Sequence, residues 1–433
     1  MKSDVLSSQA LLEVLVSLIR DELKTLRHTD AGELQSDAWH ADTPLGHAES
    51  ESTEGDGPAI NADSMELLCL TTAVSNFFCL YESGLDDYLL RRRTLGGWVE
   101  VIQRIRAEDT RDLTFQTSGS TGEPKPCRHA WRTLLEECDY FAAFFDRLQE
   151  GGIRRVLCPA LPHHIYGFLF GVLLPERTGV PSLRGQKALA AVQGRRLEAG
   201  DLIVGYPFIW QLFSRQGAPF PPGVAGLTST GPSDARVIET LRAQGLSHMV
   251  EIHGASETGG IGVRCSTQAP YTLLPRWRRG PQAHQIIAAG EHTPRPVTDH
   301  LEWEGGRRYW PVGRLDRAVQ VGGVNVYPQQ VTTFLHDHPK VAKALVRPMT
   351  RDEGERLKAF IVPFEAVDTE GLADELTRWC RAQLSTPSVP GAFTFGTALP
   401  TGDQGKASDW PLEGARAGGD DSDLRPAAIR TRY

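Results

Sequence analysis

The residues of this chain that could do chemistry sit in short, polar, glycine-containing stretches. The first reads T-S-G-S-T-G-E-P-K over 117–125. Gly119 and Gly122 let the backbone turn sharply and approach a ligand closely. Exposed N–H groups, with the hydroxyls of Thr117, Ser118, Ser120 and Thr121, can surround phosphate oxygens, and Lys125 adds a positive charge. The lysine follows Glu-Pro and not Gly, so this is not a G-x-x-x-x-G-K-[ST] loop. The plain alternative is a flexible linker, which fits poorly between an apolar strand (Leu113 to Phe115) and P-K-P. Later stretches carry single charged groups: Glu257 in H-G-A-S-E-T-G-G, Asp299 in V-T-D-H-L, Arg314 in G-R-L-D and Lys406 in L-P-T-G-D-Q-G-K. Taken singly, each reads as a solvated surface charge.

These stretches need elements to hold them. Residues 9–27 carry Leu12, Leu15, Val16, Ile19, Leu23 and Leu26 at helical spacing. Residues 29–59 are polar and read as a flexible loop. Asp63 with Glu66 resembles a capping box, and Leu67, Leu70, Val74, Phe77 and Phe78 continue it as an apolar stripe. Two shorter helices finish this all-helical section near 106. From Asp112, short apolar runs alternate with helical stretches, which predicts an α/β layer fold. Residues 318–412 read as a small α+β unit, and 413–433 as a frayed, disordered tail. At 433 residues the chain has room for two or three domains. A net charge of −8 argues against a nucleic-acid or anionic-membrane partner. Seven scattered cysteines with no C-x-x-C fit reduced thiols and a cytoplasmic protein. Acidic residues interrupt the N-terminal apolar run, so no membrane span or signal peptide is expected.

Taken in order, the stretches resemble the signature motifs of the adenylate-forming superfamily, which includes acyl- and aryl-CoA synthetases, peptide-synthetase adenylation domains and luciferase. T-S-G-S-T-G-E-P-K resembles its phosphate loop, and H-G-A-S-E-T-G-G its Y-G-x-T-E motif, with His253 and Ser256 as departures. Asp299 lies 14 positions before Gly313 of G-R-L-D, a spacing typical of the family. V-G-G-V-N-V-Y-P (321–328) is similar to the strand after its hinge, and L-P-T-G-D-Q-G-K (399–406) to its C-terminal lysine motif. The likeness covers about 110–410. It implies ATP and Mg²⁺ as cofactors, with an adenylating core over 107–315 and a mobile C-terminal domain over 316–412. It gives Lys406 the role of bridging a carboxylate and the α-phosphate, so that two anions can meet. Glu257, with Thr121, would hold Mg²⁺. The loop residues from Thr117 to Gly122, Lys125 and Ser256 would steady the phosphates. Asp299 would take the ribose hydroxyls, and Arg314 lies beside them. Asp316 matches the hinge. Gly322 and Gly323 would line a pantetheine passage, or else mark a β-bulge.

L-P-H-H-I-Y-G-F-L-F-G (161–171) is similar to the family's P-x-x-H-I-Y segment, so His164 would guard the acyl site. Tyr166, Tyr206, Phe208, Gly231 and Gly254 complete an expected short aromatic pocket, suited to a planar aryl acid. The long subdomain usual before the phosphate loop is missing. Residues 1–106 instead resemble an acyl carrier protein, with Ser64 matching the 4′-phosphopantetheine serine. The whole resembles compact acyl-CoA synthetases of aryl polyene and xanthomonadin pigment pathways. That implies activation of a hydroxybenzoate or hydroxycinnamate and its passage to CoA or a carrier protein. An aliphatic-acid ligase, an enzyme that oxidises or amidates its adenylate, and an inactive docking scaffold are the competing readings.

Overall fold

The computed structural model describes residues 5–27, 38–46, 59–108, 112–117, 125–148, 151–231, 233–315, 318–350, 353–364, 369–400 and 408–412. They form two compact units, one up to Arg276 and one from Trp277 onward. No helix among the described residues is long and apolar enough to cross a membrane. All seven cysteines are free.

The first unit opens with helices α1 (Ser8–Arg27), α2 (Ser64–Phe78), α3 (Asp87–Arg91) and α4 (Leu95–Glu108). Asp63 and Glu66 form the capping box expected from the sequence, with Glu66 N donating to Asp63 at 2.8 Å and Asp63 N to Glu66 at 3.1 Å. The helices are not set apart from the α/β layer as a separate region over 1–106. The α1 residue Glu13 pairs with Arg184, Ser17 Oγ lies 2.8 Å from His163 Nδ1, and Ser7 donates to Glu176. The buried face of α1 is Leu11, Val14, Leu15, Ile19 and Leu23, whereas Leu26 is exposed. The face is therefore rotated towards the core relative to the stripe read from sequence. Part of the expected 29–59 loop is structured: Leu45 bridges Ile60, Pro44 bridges Thr94, and Thr43 and Leu45 are buried.

A hairpin of β1 (Leu113–Thr117) and β2 (Lys125–His129) leads into α5 (Trp131–Leu148) and then β3 (Arg155–Cys158). A helical run follows: α6 (Ile165–Gly167), a π-helical segment (Phe168–Leu173) and α7 (Leu174–Thr178). Next come β4 (Ser182–Arg184), α8 (Gly185–Gln193), β5 (Asp201–Gly205), α9 (Pro207–Gln216), β6 (Ala225–Thr228) and α10 (Ala235–Ala243). The unit ends with β7 (His248–Ala255), β8 (Gly259–Arg264) and β9 (Tyr271–Leu273). Its sheet order is β9-β8-β7-β6-β5-β3-β4. From β4 to β7 neighbouring strands are parallel, and β8 and β9 add antiparallel. The parallel strands are continuous apolar runs because helices cover both faces. Leu157, Ile203, Trp210, Phe213 and Leu241 fill one side.

The second unit holds a small sheet of β10 (Trp277–Arg279), β11 (Gln285–Ala288) and β12 (Arg295–Pro296), and a hairpin of β13 (Asp299–Glu304) and β14 (Arg308–Arg314). A tight hairpin follows, β15 (Val319–Val321) and β16 (Val324–Val326). After α11 (Pro328–His336), β17 (Val341–Pro348) and β18 (Leu357–Pro363) pair, then α12 (Thr369–Gln383) crosses over to β19 (Ala392–Phe395), parallel to β18. Val331, Leu335, Val346, Ile361, Leu376 and Phe393 form its core. The α+β character matches the sequence reading. The division between compact units falls at 276/277, earlier than the expected 315/316.

Candidate active site

In an open α/β sheet, ligands meet the residues that follow the carboxyl ends of parallel strands. Here β3, β5, β6 and β7 are adjacent in the sheet. The segments after them carry His163 and His164, Tyr206, Ser229 and Gly231, and Ser256 and Glu257, respectively. Topology thus brings His164, Tyr206, Gly231 and Glu257, scattered in sequence, to one sheet edge. Gly254 is exposed near the end of β7. Tyr206 is half-buried at the start of α9. Tyr166 acts as a structural tie. Its hydroxyl donates to the carbonyls of Gly205 (2.9 Å) and Leu227 (3.1 Å), joining the ends of β5 and β6. Burial holds its phenol protonated, well above the ordinary range. Phe208 is 56% exposed on α9, while Ile209 and Trp210 beside it enter the core.

The His164 side chain reaches solvent. Desolvation by the protein around it, with His163 alongside, pushes its pKa down to about 4. The two rings lie 4.5 Å apart, and His163 is buried with its Nε2 3.5 Å from Asp21 Oδ2. Burial works against the Asp21 charge, but His163 and its neighbours hold that carboxyl below its ordinary value.

The β1–β2 hairpin pairs Thr117 with Lys125, across the mouth of the glycine-serine-threonine loop. Ser118, Gly119, Ser120, Thr121 and Gly122 lie outside the described residues. The other end of β2 reaches the Glu257 turn: His129 Nε2 donates to the Ser256 carbonyl at 2.6 Å. On the far side of Glu257, Arg276 donates to the Thr258 carbonyl and pairs at 3.1 Å with Glu137, a fully buried residue of α5. Glu137 also accepts from Gly260 N at 2.9 Å. Burial pushes the Glu137 carboxyl upward, against the pull of Arg276 and that N–H. A Cβ at Gly259 would stand 2.7 Å from Glu137 Oε2, and one at Gly260 2.6 Å from Oε1, so this carboxylate is why T-G-G carries two glycines. Glu257 itself is exposed, and no hydrogen bond or ion pair from another described residue engages it. Sequence reading missed His129, Glu137 and Arg276. A signal for Glu137 existed, since it falls on the stripe Leu134, Cys138, Phe141 and Phe145 of α5.

In the second unit, Asp299 and Arg314 face each other in the β13–β14 register. The hairpin therefore explains the spacing between the V-T-D-H-L and G-R-L-D motifs. Gly322 and Gly323 form the two-residue turn between β15 and β16, both at positive φ (59° and 81°), which is not a bulge. Asp316 and Lys406 lie outside the described residues. The segment just after Lys406 is firmly held. Lys358, fully buried, pairs with Glu353 (2.7 Å) and Asp409 (3.1 Å) under the Trp410 ring. Trp410 Nε1 donates to Thr394 at 3.0 Å, and Ser408 N donates to the Pro400 carbonyl at 2.9 Å.

The family model described as the AMP-binding enzyme C-terminal domain matches residues 330–406. A 4-coumarate–CoA ligase of Rhodobacter capsulatus is 40% identical over 82% of this chain and 91% of its own length. A 4-coumarate–CoA ligase of Halorhodospira halophila is 35% identical over 93% and 99%. Among solved structures, the amide bond synthetase McbA from Marinactinospora thermotolerans has the same fold, with a TM-score of 0.57 and 16% identity over 92% of each chain. That coverage exceeds what residues 107–433 alone could supply, so the shared fold takes in part of the N-terminal helical section.

Proposed function

This chain belongs to the adenylate-forming acid–thiol ligases, and on that premise we propose that it activates an aryl carboxylic acid with ATP and passes it to CoA. The observation that carries the aryl reading is the set after β3, β5, β6 and β7, where a neutral His164 and Tyr206 share a sheet edge with Glu257. An aromatic side chain and an uncharged imidazole at the same sheet edge suit a planar ring. The relatives named 4-coumarate–CoA ligase support the same class of acid. The pigment-pathway likeness extends it to hydroxybenzoates and hydroxycinnamates.

In the first step a carboxylate oxygen attacks the α-phosphorus, the bond to the β-phosphate oxygen breaks, and diphosphate leaves. In the second the thiolate sulfur attacks the acyl carbon, AMP leaves, and the thiol proton passes to solvent. Lys406 offsets the repulsion between carboxylate and α-phosphate in the first step. Asp299 accepts the ribose hydroxyls with Arg314 opposite, while Lys125 and the loop residues Thr117 to Gly122 steady the phosphates. Asp316 serves as hinge, and Gly322 and Gly323 leave room for the pantetheine arm. Glu257 is suited to Mg²⁺. No hydrogen bond or ion pair from another described residue engages its exposed carboxylate, and a hard oxygen ligand suits a cation that also binds substrate phosphates. When bound, the ion would neutralise the phosphate charge; Thr121 is its second proposed ligand.

A carrier role for the N-terminal helices is a second reading. It is favoured by Ser64, exposed at the start of α2 beside Met65 and Leu68, which are 68% and 49% exposed. Intact mass after co-expression with a phosphopantetheinyl transferase tests it. The anchoring of α1 on Arg184 and His163 favours a structural role for that section and CoA as acceptor. The main reading is tested by measuring diphosphate release with ATP, Mg²⁺ and a panel of hydroxycinnamates, hydroxybenzoates and fatty acids, then adding CoA. We expect release with an aryl acid and a CoA thioester afterwards. Release only with fatty acids would overturn it.

A further inference from the structure

The peptide groups on both sides of Glu257 are held by charged or polar side chains from elsewhere in the fold, His129 buried and Arg276 half-buried. On one side the Ser256 carbonyl accepts from His129 Nε2 at 2.6 Å. On the other the Thr258 carbonyl accepts from Arg276. His129, Glu137 and Thr258 are all buried. Glu137 sits on the apolar face of α5, where a carboxylate is costly unless paired. It spends both oxygens on this turn: one takes the Gly260 N–H at 2.9 Å, the other faces Arg276 at 3.1 Å. Two consecutive glycines are needed for the backbone to come that close. The arrangement therefore makes sense as a device that fixes the path of residues 256–260, with the Glu257 side chain exposed and engaged by no other described residue. His129 also ends the strand that begins at Lys125, so one five-residue strand links that lysine to the Glu257 turn.

We propose that His129 and the Glu137–Arg276 pair are positioning residues that hold the Glu257 carboxylate for the metal–nucleotide complex. The proposal rests on the function proposed above. None of the three touches the reacting atoms. They fix the main chain on either side of a group that would, and so remove the freedom that Glu257 would otherwise lose on binding.

The test uses the full-length protein and two variants, His129→Ala and Glu137→Gln. The first removes a donor. The second keeps the shape and an acceptor for Gly260 N but removes the charge that faces Arg276. Calorimetry reads ATP affinity with and without Mg²⁺, and electron paramagnetic resonance reads Mn²⁺ uptake in the presence of ATP. Both variants should weaken the metal-dependent part about 10- to 100-fold, leaving metal-free ATP affinity within about twofold. His129→Gln, whose amide can donate to Ser256, should recover part of the loss. Equal loss with and without metal would show a general structural effect and overturn the proposal, as would unchanged Mn²⁺ uptake in either folded variant. If His129→Ala does not fold, Glu137→Gln decides. A wild-type protein that binds no ATP would instead sink the function proposed above.

Discussion

At His164, desolvation and the neighbouring His163 both oppose a positive charge. Its pKa falls from the ordinary 6.5 to about 4. Between those values the unfolded chain takes up a proton that the folded chain refuses. This group therefore adds nothing to the pH dependence of stability above about 6.5, and it lowers stability as pH falls from there towards 4. His163, Asp21 and Lys24 are the titratable or charged neighbours that face this region from the loop and from α1. Chemical denaturation at pH 7.5 and at pH 5 should show a smaller drop for His164→Asn than for the wild type. Equal drops would mean that the imidazole is not held neutral. His164 was singled out by its motif, but its charge state was not legible there. Charge state depends on the ring brought beside it and on an aspartate from α1, far away in sequence.

At the scale of elements, periodicity carried far. The capping box at Asp63 and Glu66, the α2 stripe and the alternation of strands with helices all stand as read. What local pattern could not give was which elements share a core. The α1 stripe looked self-sufficient, yet its polar positions Glu13 and Ser17 reach Arg184 and His163. A β-bulge at Gly322 and Gly323 stayed open as a reading because the pairing of Val321 with Val324 is not visible in composition. Lys358 is another case: a lysine in the apolar run L-K-A-F-I-V looks like an outward-facing strand residue, yet it is fully buried. Its ammonium is matched by Glu353 and Asp409 and by the Trp410 carbonyl, so it fixes the chain that follows the Lys406 motif. Lys358→Ala would leave the Glu353 carboxylate, whose side chain is buried, without its cation and with only the Thr350 and Leu412 N–H groups among the described residues. Such a loss costs about 3–5 kcal/mol, and urea denaturation should show it as a lower midpoint for the second unit. A shift below about 1 kcal/mol would show that 408–412 is held by Trp410 packing alone.

At the scale of the whole molecule, the chain matches relatives over nearly their full length. In the first unit, α1 anchors on Arg184 and His163, beside the parallel sheet whose carboxyl edge carries His164, Tyr206, Gly231 and Glu257. The family was legible because its motifs are chemical requirements tied to turns, and turns tolerate little change. The supporting residues were not, because His129, Glu137 and Arg276 acquire meaning only when elements far apart in sequence become neighbours. The account's central claim is that carboxylate oxygen becomes bonded to the α-phosphorus of ATP. Carboxyl-¹⁸O-labelled 4-coumarate turned over with ATP, Mg²⁺ and CoA, followed by mass spectrometry of the nucleotide, tests that bond directly. The account predicts AMP carrying one ¹⁸O for each thioester formed. Thioester formed with unlabelled AMP, or with ADP and labelled phosphate as products, would contradict it.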